Sequence, residues 1–151
     1  MIVIMLIGIV AVIGMPRFLR SPRREAETFI SHLNRLVSES VIEAQSRGEP
    51  LRIFFSITGK KVDMQTVSGK SLAKPLLIPE SIEISDVGIN GKSQFMSGSG
   101  EKDSVYFLIN QEGISQEVRL VIIDHAVRRN NPRSGRYEFY LNPFTSVFRY
   151  H

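Results

Sequence analysis

The sequence predicts an α+β protein in which a long N-terminal helix, hydrophobic at first and then amphipathic, packs on an antiparallel, two-sheet globular domain. Residues 1–15 carry no charge, residues 21–47 repeat apolar side chains at three- and four-residue steps, and short β-rich runs follow Pro50. We therefore expect an apolar membrane or filament segment over residues 1–21 and a globular domain over residues 22–151, with a helix over 22–47 and strands over 50–151.

Composition fits this division. The chain has 151 residues, 42% of them hydrophobic, which suits one ordinary domain with an appendage. It has no cysteine, so neither a disulfide nor a thiolate metal site can form. A formal net charge of +4 permits contact with nucleic acid or anionic lipid, but such an excess is common in proteins that bind neither.

The opening run, MIVIMLIGIVAVIGM, is apolar on every side of a helix, which is typical of burial in lipid or among other helices. At ~1.5 Å per residue it would extend ~22 Å, whereas a bilayer core needs about 20 apolar residues. A cleaved signal peptide fits poorly, because no basic region precedes the run and arginines follow it. A short buried helix or an ordinary anchor is the alternative. The residues predicted to pack in a membrane or filament are Ile2, Ile4, Leu6, Gly8, Ile9, Val12, Ile13, Gly14 and Pro16.

The next segment has the period of an amphipathic helix. Gly48 stands where a left-handed C-terminal cap would lie, and Pro50 prevents continuation. The start stays open: Ser21 and Pro22 fit an N-cap and a first helical residue, or the helix continues from the apolar run with prolines 16 and 22 as kinks. The predicted helix–sheet core residues are Phe29, Ile30, Leu33, Leu36, Val37 and Val41.

Seven strands are predicted beyond the helix, from β-branched and aromatic runs separated by Gly, Asn, Ser and Pro. Short strands joined by turns favour antiparallel pairing. VSGKS, GINGK and MSGSGEKD are predicted turns, and RRNNPRSGR is predicted to be a mobile hairpin loop. The strands cover Leu51–Ile57, Lys61–Val67, Ser81–Val87, Ser104–Asn110, Gln116–Asp124, Arg136–Asn142 and Thr145–Tyr150.

The titratable residues do not predict catalysis. His32, His125 and His151 lack metal-ligand spacing. Asp124 is adjacent to His125, so on a strand the two would point to opposite faces, and a polar strand end is the better interpretation. We expect no cofactor and no enzymatic activity. A membrane-anchored enzyme, the competing hypothesis, would require a concave pocket with perturbed ionisable groups.

Two glycine turns and a set of loop oxygens are weak candidates for a phosphate-binding loop and a calcium site. SGKS at 68–71 and NGKS at 90–93 lack the glycine that a phosphate-binding loop needs five positions before its final glycine. We interpret both as turns. Asp86, Asn90, Glu101 and Asp103 offer oxygens to calcium, but without the regular spacing of a dedicated loop.

A basic cluster is the surface patch with the most functional promise. Arg128, Arg129, Arg133 and Arg136 lie within nine residues and could neutralise phosphates with salt-dependent affinity. A solvated loop is the preferred interpretation, because most charge runs are solvated.

The segment MIVIMLIGIVAVIGMPRF resembles the N-terminus of type IV pilins and type II secretion pseudopilins. In that family a short basic leader is cut before a phenylalanine, a glutamate follows, and a glycine-containing apolar helix runs to a proline. Aligning Gly8 and Pro16 with the family's glycine and proline places the mature N-terminus about six residues before Met1, so the run would reach the length needed for spanning. We therefore expect the leader and first mature residues to be missing. The arginines after the run would by themselves favour a cytoplasmic position for that side, which a basic leader would rebalance.

Three later segments resemble H-type minor pseudopilins and FimT-like minor pilins. REAETFISHLNRLVSESVIEAQSRGEPLRI keeps Gly48 and Pro50 at the family's spacing, VYFLINQEGIS has Gly113 in its turn, and YLNPFTSVFRY resembles the last strand. Ser146 stands where the family has glycine, and Phe148 where it has a small apolar residue.

The resemblance implies a non-enzymatic structural subunit, a minor pseudopilin or minor pilin of a type II secretion or type IV pilus filament. It implies a single pass through the bacterial inner membrane, a periplasmic globular domain, and assembly with other pseudopilins or pilins through the apolar helix, with secreted cargo as a candidate partner. The alternative is a DNA-binding minor pilin for DNA uptake. Its candidate DNA or partner contacts are Arg128, Arg129, Arg133, Arg136 and Arg149.

Overall fold

The computed structural model describes residues 23–95 and 103–151 and confirms the predicted α+β class. The strands of these residues form two antiparallel sheets, and the long helix packs against both. The elements are α1 (Arg23–Arg47), β1 (Leu51–Ser56), β2 (Lys61–Thr66), β3 (Leu76–Leu77), β4 (Ile82–Ile89), β5 (Lys92–Ser93), β6 (Ser104–Ile109), β7 (Val118–Asp124), α2 (His125–Asn130), β8 (Arg136–Asn142) and β9 (Val147–Tyr150).

Helix α1 forms because its apolar residues recur on one side and both of its ends carry helix signals. Glu25 lies in the first turn and Arg47 in the last, where each charge complements the helix dipole. Gly48 then takes a φ of +64° and donates its amide to the Ala44 carbonyl at 2.9 Å, which ends the helix where the sequence predicts. The buried side centres on Leu33, which is 0% exposed.

Sheet A has the strand order β3-β2-β1-β6, and each neighbouring pair is antiparallel. Its central strand β1 alternates buried and half-buried residues, the pattern of a strand with one face on a core. Leu51, Ile53 and Phe55 face the core, whereas Arg52 and Phe54 lie on the outer face.

Sheet B has the strand order β5-β4-β7-β8-β9 and is also antiparallel. A bulge between Ile84 and Asp86 shifts the pairing of β4 with β7 by one residue. The two sheets share one core, because the rings of Phe107 on β6 and Phe148 on β9 meet edge to face with 6.4 Å between their centroids.

Each sheet has an edge strand whose backbone is met by a side-chain amide. On β9, Asn34 of α1 donates from Nδ2 to the Phe148 carbonyl at 3.2 Å and accepts from the Phe148 amide at 2.7 Å. On β6, Gln116 accepts from the Leu108 amide at 2.9 Å and donates its own amide to the Leu108 carbonyl at 3.1 Å. Both side chains blunt an edge that could otherwise pair with another chain.

The predicted strands are shifted or incomplete in places. The sequence pattern misses β3 and β5, because two residues are too few to show a period. Strand β7 begins at Val118 rather than Gln116, since Gln116 leaves the strand to bond to β6. Strand β9 begins at Val147 rather than Thr145, because Thr145 and Ser146 belong to the four-residue turn 143–146 that leads from β8.

The prediction of a mobile hairpin loop over residues 128–136 is wrong. Its first three residues belong to α2, which the Asp124 side chain caps by accepting two backbone amides. After α2, the Asn131 amide donates to the Val127 carbonyl at 3.1 Å, and the Asp124 amide donates to the Gly135 carbonyl at 2.6 Å. A capped helix and a hydrogen-bonded turn therefore join β7 to β8.

Candidate functional site

The residues predicted to pack in a membrane or filament, from Ile2 to Pro16, lie outside the described residues. The first described residue is Arg23, at the start of α1. Within residues 23–95 and 103–151, no helix combines the length and the apolar character needed to cross a bilayer.

Helix α1 has a buried side and an open side. The open side is largely polar, although it includes Ile42, which is 67% exposed. The predicted helix–sheet residues lie on the other side, where five are buried and the last is half-buried against the core: Phe29, Ile30, Leu33, Leu36, Val37 and Val41.

Three of the predicted contact arginines gather at one end of sheet B. Arg128 and Arg129 lie in the last turn of α2, and Arg133 lies in the turn that follows. All three are exposed, and none forms an ion pair with an acidic side chain of the described residues. Gly135 holds the turn close to α2, because a Cβ there would lie 2.6 Å from the Asp124 carbonyl oxygen.

The other two predicted arginines lie on the outer face of sheet B. Arg136 is the first residue of β8, and Arg149 of β9 is in register with Tyr140 of β8. Tyr140 is about 14 Å along the strand from Arg136, and Glu138 lies between them on the same face. The structure therefore does not bring all five arginines into one patch.

The centre of that outer face is a charge network that sequence reasoning missed. The Arg119 guanidinium on β7 donates to Asp86 on β4 at 2.6 Å and lies 3.4 Å from the Glu138 carboxylate on β8. The Tyr140 hydroxyl donates to the same carboxylate at 2.7 Å. Val121 is in register between Asp86 and Glu138 and is only 1% exposed, so the network covers an apolar side chain on the outer face.

The contacts of this network shift its protonation equilibria. The hydrogen bond from Tyr140 lowers the pKa of Glu138; partial burial opposes the shift, and the charge of Arg119 reinforces it. The same hydrogen bond raises the pKa of the Tyr140 hydroxyl. Partial burial lowers the pKa of Arg119, but the charges of Asp86 and Glu138 outweigh it and raise the net value. Contacts on both sides thus favour the charged forms of Arg119 and Glu138.

The three histidines stay apart. His32 is exposed on α1, and His125 begins α2. His151 packs against Tyr140 with the rings tilted by 54° and 5.0 Å between their centroids. In the part of the chain that the structure describes, no three His, Asp or Glu side chains converge as metal ligands would.

Two of the side chains considered for calcium, Asp86 and Asp103, have partners within the protein. Asp86 belongs to the network on sheet B and also accepts from the Ser93 hydroxyl at 2.6 Å. Asp103 accepts from the Thr58 hydroxyl at 2.8 Å. Glu101 lies outside the described residues.

A cleft of about 320 Å³ lies where the two sheets meet, and an enzyme hypothesis would place a substrate in such a space. Isoleucines form its floor, and the Lys60–Glu80 ion pair and a hydrogen bond between His125 and Glu83 lie at its rim. Asp124 turns away from His125 to cap α2, so the two do not form a base with its orienting carboxylate.

Two further side chains, besides Arg119, were missed because each is a single polar residue within an otherwise apolar period. Asn34 closes the edge of β9, as described above. Arg52 lies on the outer face of sheet A, over the rings of Phe54 and Tyr106. The alternation of β1 is the signal that could have placed Arg52 on the outer face.

No protein-family model matches the sequence, and a search of curated proteins gives no significant match. Solved structures do match. The type IV minor pilin FimU of Pseudomonas aeruginosa aligns with a TM-score of 0.52 and 12% identity, over 85% of this chain and 90% of FimU. The minor pseudopilin EpsH of the type 2 secretion system of Vibrio cholerae aligns with a TM-score of 0.51 and 9% identity, over 84% of this chain and 96% of EpsH. At these identities the likeness is one of fold: the chain has the fold of a minor pilin or pseudopilin.

Proposed function

We propose that the protein is a structural minor pilin or minor pseudopilin, a subunit of a type IV pilus or type II secretion filament that assembles through its N-terminal apolar segment. One observation carries this proposal. Helix α1, which packs on two antiparallel sheets in the fold that FimU and EpsH share, comes shortly after a run of uncharged residues at positions 1–15.

In this proposal residues 1–21 form the membrane and filament segment, and residues 22–151 form the periplasmic domain. Before assembly the segment lies in the bacterial inner membrane, and on assembly it packs among the helices of other pilins or pseudopilins. Leaving the bilayer exchanges lipid contacts for helix–helix contacts, so much of the cost is offset. Gly8 and Gly14 permit close approach of neighbouring helices, and Pro16 permits a bend.

The domain faces outward, towards other subunits or secreted cargo. This orientation is supported by the open side of α1, which is largely polar and therefore suits solvent better than a lipid or core environment. The edge contacts of Asn34 and Gln116 also suit a domain that must stay unpaired until it meets the right partner.

Membrane extraction tests the segment's role. The full chain is produced in bacterial cells, and membranes are washed with alkaline carbonate. We expect the unchanged protein to stay in the membrane pellet and Val12→Arg to be depleted from it, because a charge at the centre of a membrane helix costs about 3 kcal/mol.

Ile42→Arg is the matched control, since it adds the same charge to an exposed position of α1. It should stay in the pellet. Release of the unchanged protein by carbonate, or equal release of both variants, would refute the membrane segment.

A second candidate function is DNA binding, favoured by the exposed Arg128, Arg129 and Arg133 without acidic partners among the described residues. We expect binding of a labelled duplex to weaken steeply with salt, and Arg128→Ala and Arg133→Ala each to lower the salt slope by about one. Arg35→Ala removes an arginine already paired with Glu39 at 2.8 Å and serves as the control. Absence of binding at low salt would exclude this function.

A further inference from the structure

We propose that the outer face of sheet A carries a docking site, centred on Arg52, for an acidic segment of a partner protein. The site belongs to the globular domain, so the inference goes beyond filament assembly and stands or falls independently of it.

Arg52 is held in place by neutral groups. Its guanidinium carbon lies 5.5 Å from the ring centroid of Phe54 and 5.3 Å from that of Tyr106. Its Nε and Nη2 both donate to the Gln65 Oε1, at 3.0 and 2.9 Å. Two aromatic contacts and a forked hydrogen bond fix the plane of the group, so little side-chain entropy is left to lose when a ligand binds.

Several of the donors of Arg52 remain available. A guanidinium has five N–H groups, and Gln65 takes one from Nε and one from Nη2. No carboxylate of the described residues forms an ion pair with Arg52. Asp63, an acidic neighbour on the same face, is occupied by the Gln65 amide at 3.0 Å and the Ser71 hydroxyl at 2.8 Å. The free ends of the guanidinium therefore lack an anionic partner within this domain.

The surroundings of Arg52 suit a protein partner. Tyr106 is 49% exposed and offers an amphipathic ring beside the cation. Gly69 leaves space at the group, because a Cβ there would lie 2.9 Å from Nη2. Arginine and tyrosine, together with tryptophan, are enriched among the residues that contribute most to binding at protein interfaces. A carboxylate that approaches the free ends in the guanidinium plane would make the paired hydrogen bonds that this fork favours.

A single cation favours an acidic protein segment over a nucleic acid. Binding along a phosphate backbone requires several Lys or Arg side chains spaced along its path. Among the described strand residues of this face, the other exposed cation is Lys61, whose register partner Ser56 lies about 14 Å along β1 from Arg52. The clustered arginines lie on α2 and the turn after it, next to sheet B. One carboxylate matches the charge that sheet A offers.

The test uses the full chain in detergent and fluorescence anisotropy. The probe is a fluorescein-labelled peptide of alternating glutamate and glycine, with a glutamine–glycine peptide of equal length for comparison. We expect only the glutamate peptide to bind, Arg52→Gln to weaken its Kd at least about fivefold, and Arg52→Lys to restore little of the loss, because lysine lacks the planar fork. Lys92→Gln, an equal loss of charge at an exposed position of β5, should change Kd less than about twofold.

Tyr106→Ser gives a second, independent measure, and a cooperative thermal unfolding transition shows that each variant is folded. We expect Tyr106→Ser to weaken the peptide at least about threefold. Equal losses for Arg52→Gln and Lys92→Gln, or no binding at about 1 mM protein, would overturn the proposal. It would also be overturned if a single-stranded oligonucleotide bound at least about tenfold more tightly than the peptide and depended equally on Arg52, since the ligand would then be a nucleic acid.

Discussion

Sheet A and sheet B each place one half-buried arginine on the outer face, Arg52 on β1 and Arg119 on β7, but the two positive charges are balanced differently. Arg119 lies between two carboxylates, and the network covers a buried valine. Arg52 lies over two rings and against one neutral amide. Sheet B therefore balances the charge on its outer face internally, whereas sheet A leaves a positioned charge for a partner.

The edges of the two sheets differ in a smaller way. Asn34 satisfies both backbone groups of its strand residue on β9 through one side chain. Gln116 uses its side chain for one bond and its own backbone for the other. The closure of sheet B therefore depends more on a single side chain than the closure of sheet A.

The largest expected loss of stability comes from removing the side chain that closes the edge of sheet B. Asn34→Ala should lower the free energy of unfolding by about 2 kcal/mol, because the Phe148 amide and carbonyl both lose their partner. Gln116→Ala should cost about 1 kcal/mol, since one hydrogen bond is lost. Urea denaturation of the full chain measures both, with exposed Ser38→Ala as control. Equal costs for the two variants would show that the edges are equivalent.

The next effect separates the two outer faces. Arg119→Ala should cost about 1.5 kcal/mol, because it leaves Asp86 and Glu138 without their counter-ion and uncovers Val121; the 37% exposure of the side chain limits the loss. Arg52→Ala should cost less than about 1 kcal/mol, since it removes ring contacts but strands no carboxylate. Urea denaturation measures both costs. A larger cost for Arg52→Ala would contradict the interpretation that Arg119, rather than Arg52, neutralises carboxylates on its own sheet.

The two outer faces should also differ in how their contribution to stability depends on pH. The pKa of Glu138 is lowered in the folded protein, so its contribution to stability is present above its unfolded pKa and is lost as pH falls through the folded value. Tyr140→Phe removes the main cause of that shift, and the stability difference between this variant and the unchanged protein should shrink from neutral pH to about pH 3. For Arg52→Ala the difference should stay constant, because no carboxylate pairs with Arg52 in the described residues. Unfolding midpoints across this pH range measure both differences. A constant difference for Tyr140→Phe would contradict the conclusion that the Tyr140 hydrogen bond lowers the pKa of Glu138.

The smallest effect concerns the turn that leads into β9. Ser146 takes a φ of +52°, so serine occupies a conformation that favours glycine. Ser146→Gly should stabilise the protein by about 0.5 kcal/mol, the relief of strain exceeding the entropy gained by the unfolded chain. Thr145→Gly, at the preceding position without a positive φ, should destabilise it. Thermal unfolding distinguishes the two, and a loss of stability in both variants would argue against strain at Ser146.

Periodicity predicted the larger elements, because many residues contribute to each pattern. The end of α1 at Gly48 and the alternation of β1 follow from local chemistry that a single sequence displays. The turn at Ser146 also forms, although serine stands there in place of the glycine of the family that the sequence resembles, and the serine takes the glycine-like conformation.

Features that depend on distant residues could not be predicted in this way. Arg119 and Asp86 are 33 positions apart, and nothing in either neighbourhood indicates the other. Asp124 is both the last residue of β7 and the N-cap of α2, so the apolar run of β7 predicted the strand end but did not show that a helix follows it. The sequence shows the five arginines, but their division between α2 with its following turn and the outer face of sheet B depends on the pairing of β8 with β9.

Assembly through the apolar segment is tested most directly by disulfide cross-linking, because the chain has no cysteine and one introduced thiol gives an unambiguous product. Ile9→Cys places the thiol in the segment, and Val67→Cys places it at a position of the domain that is 56% exposed. Each variant is produced with cysteine-bearing copies of the filament's other subunits and oxidised after assembly. We expect Ile9→Cys to form disulfides with those subunits and Val67→Cys to form far fewer. Equal yields from the two positions, or no product from Ile9→Cys in assembled filaments, would contradict assembly through this segment.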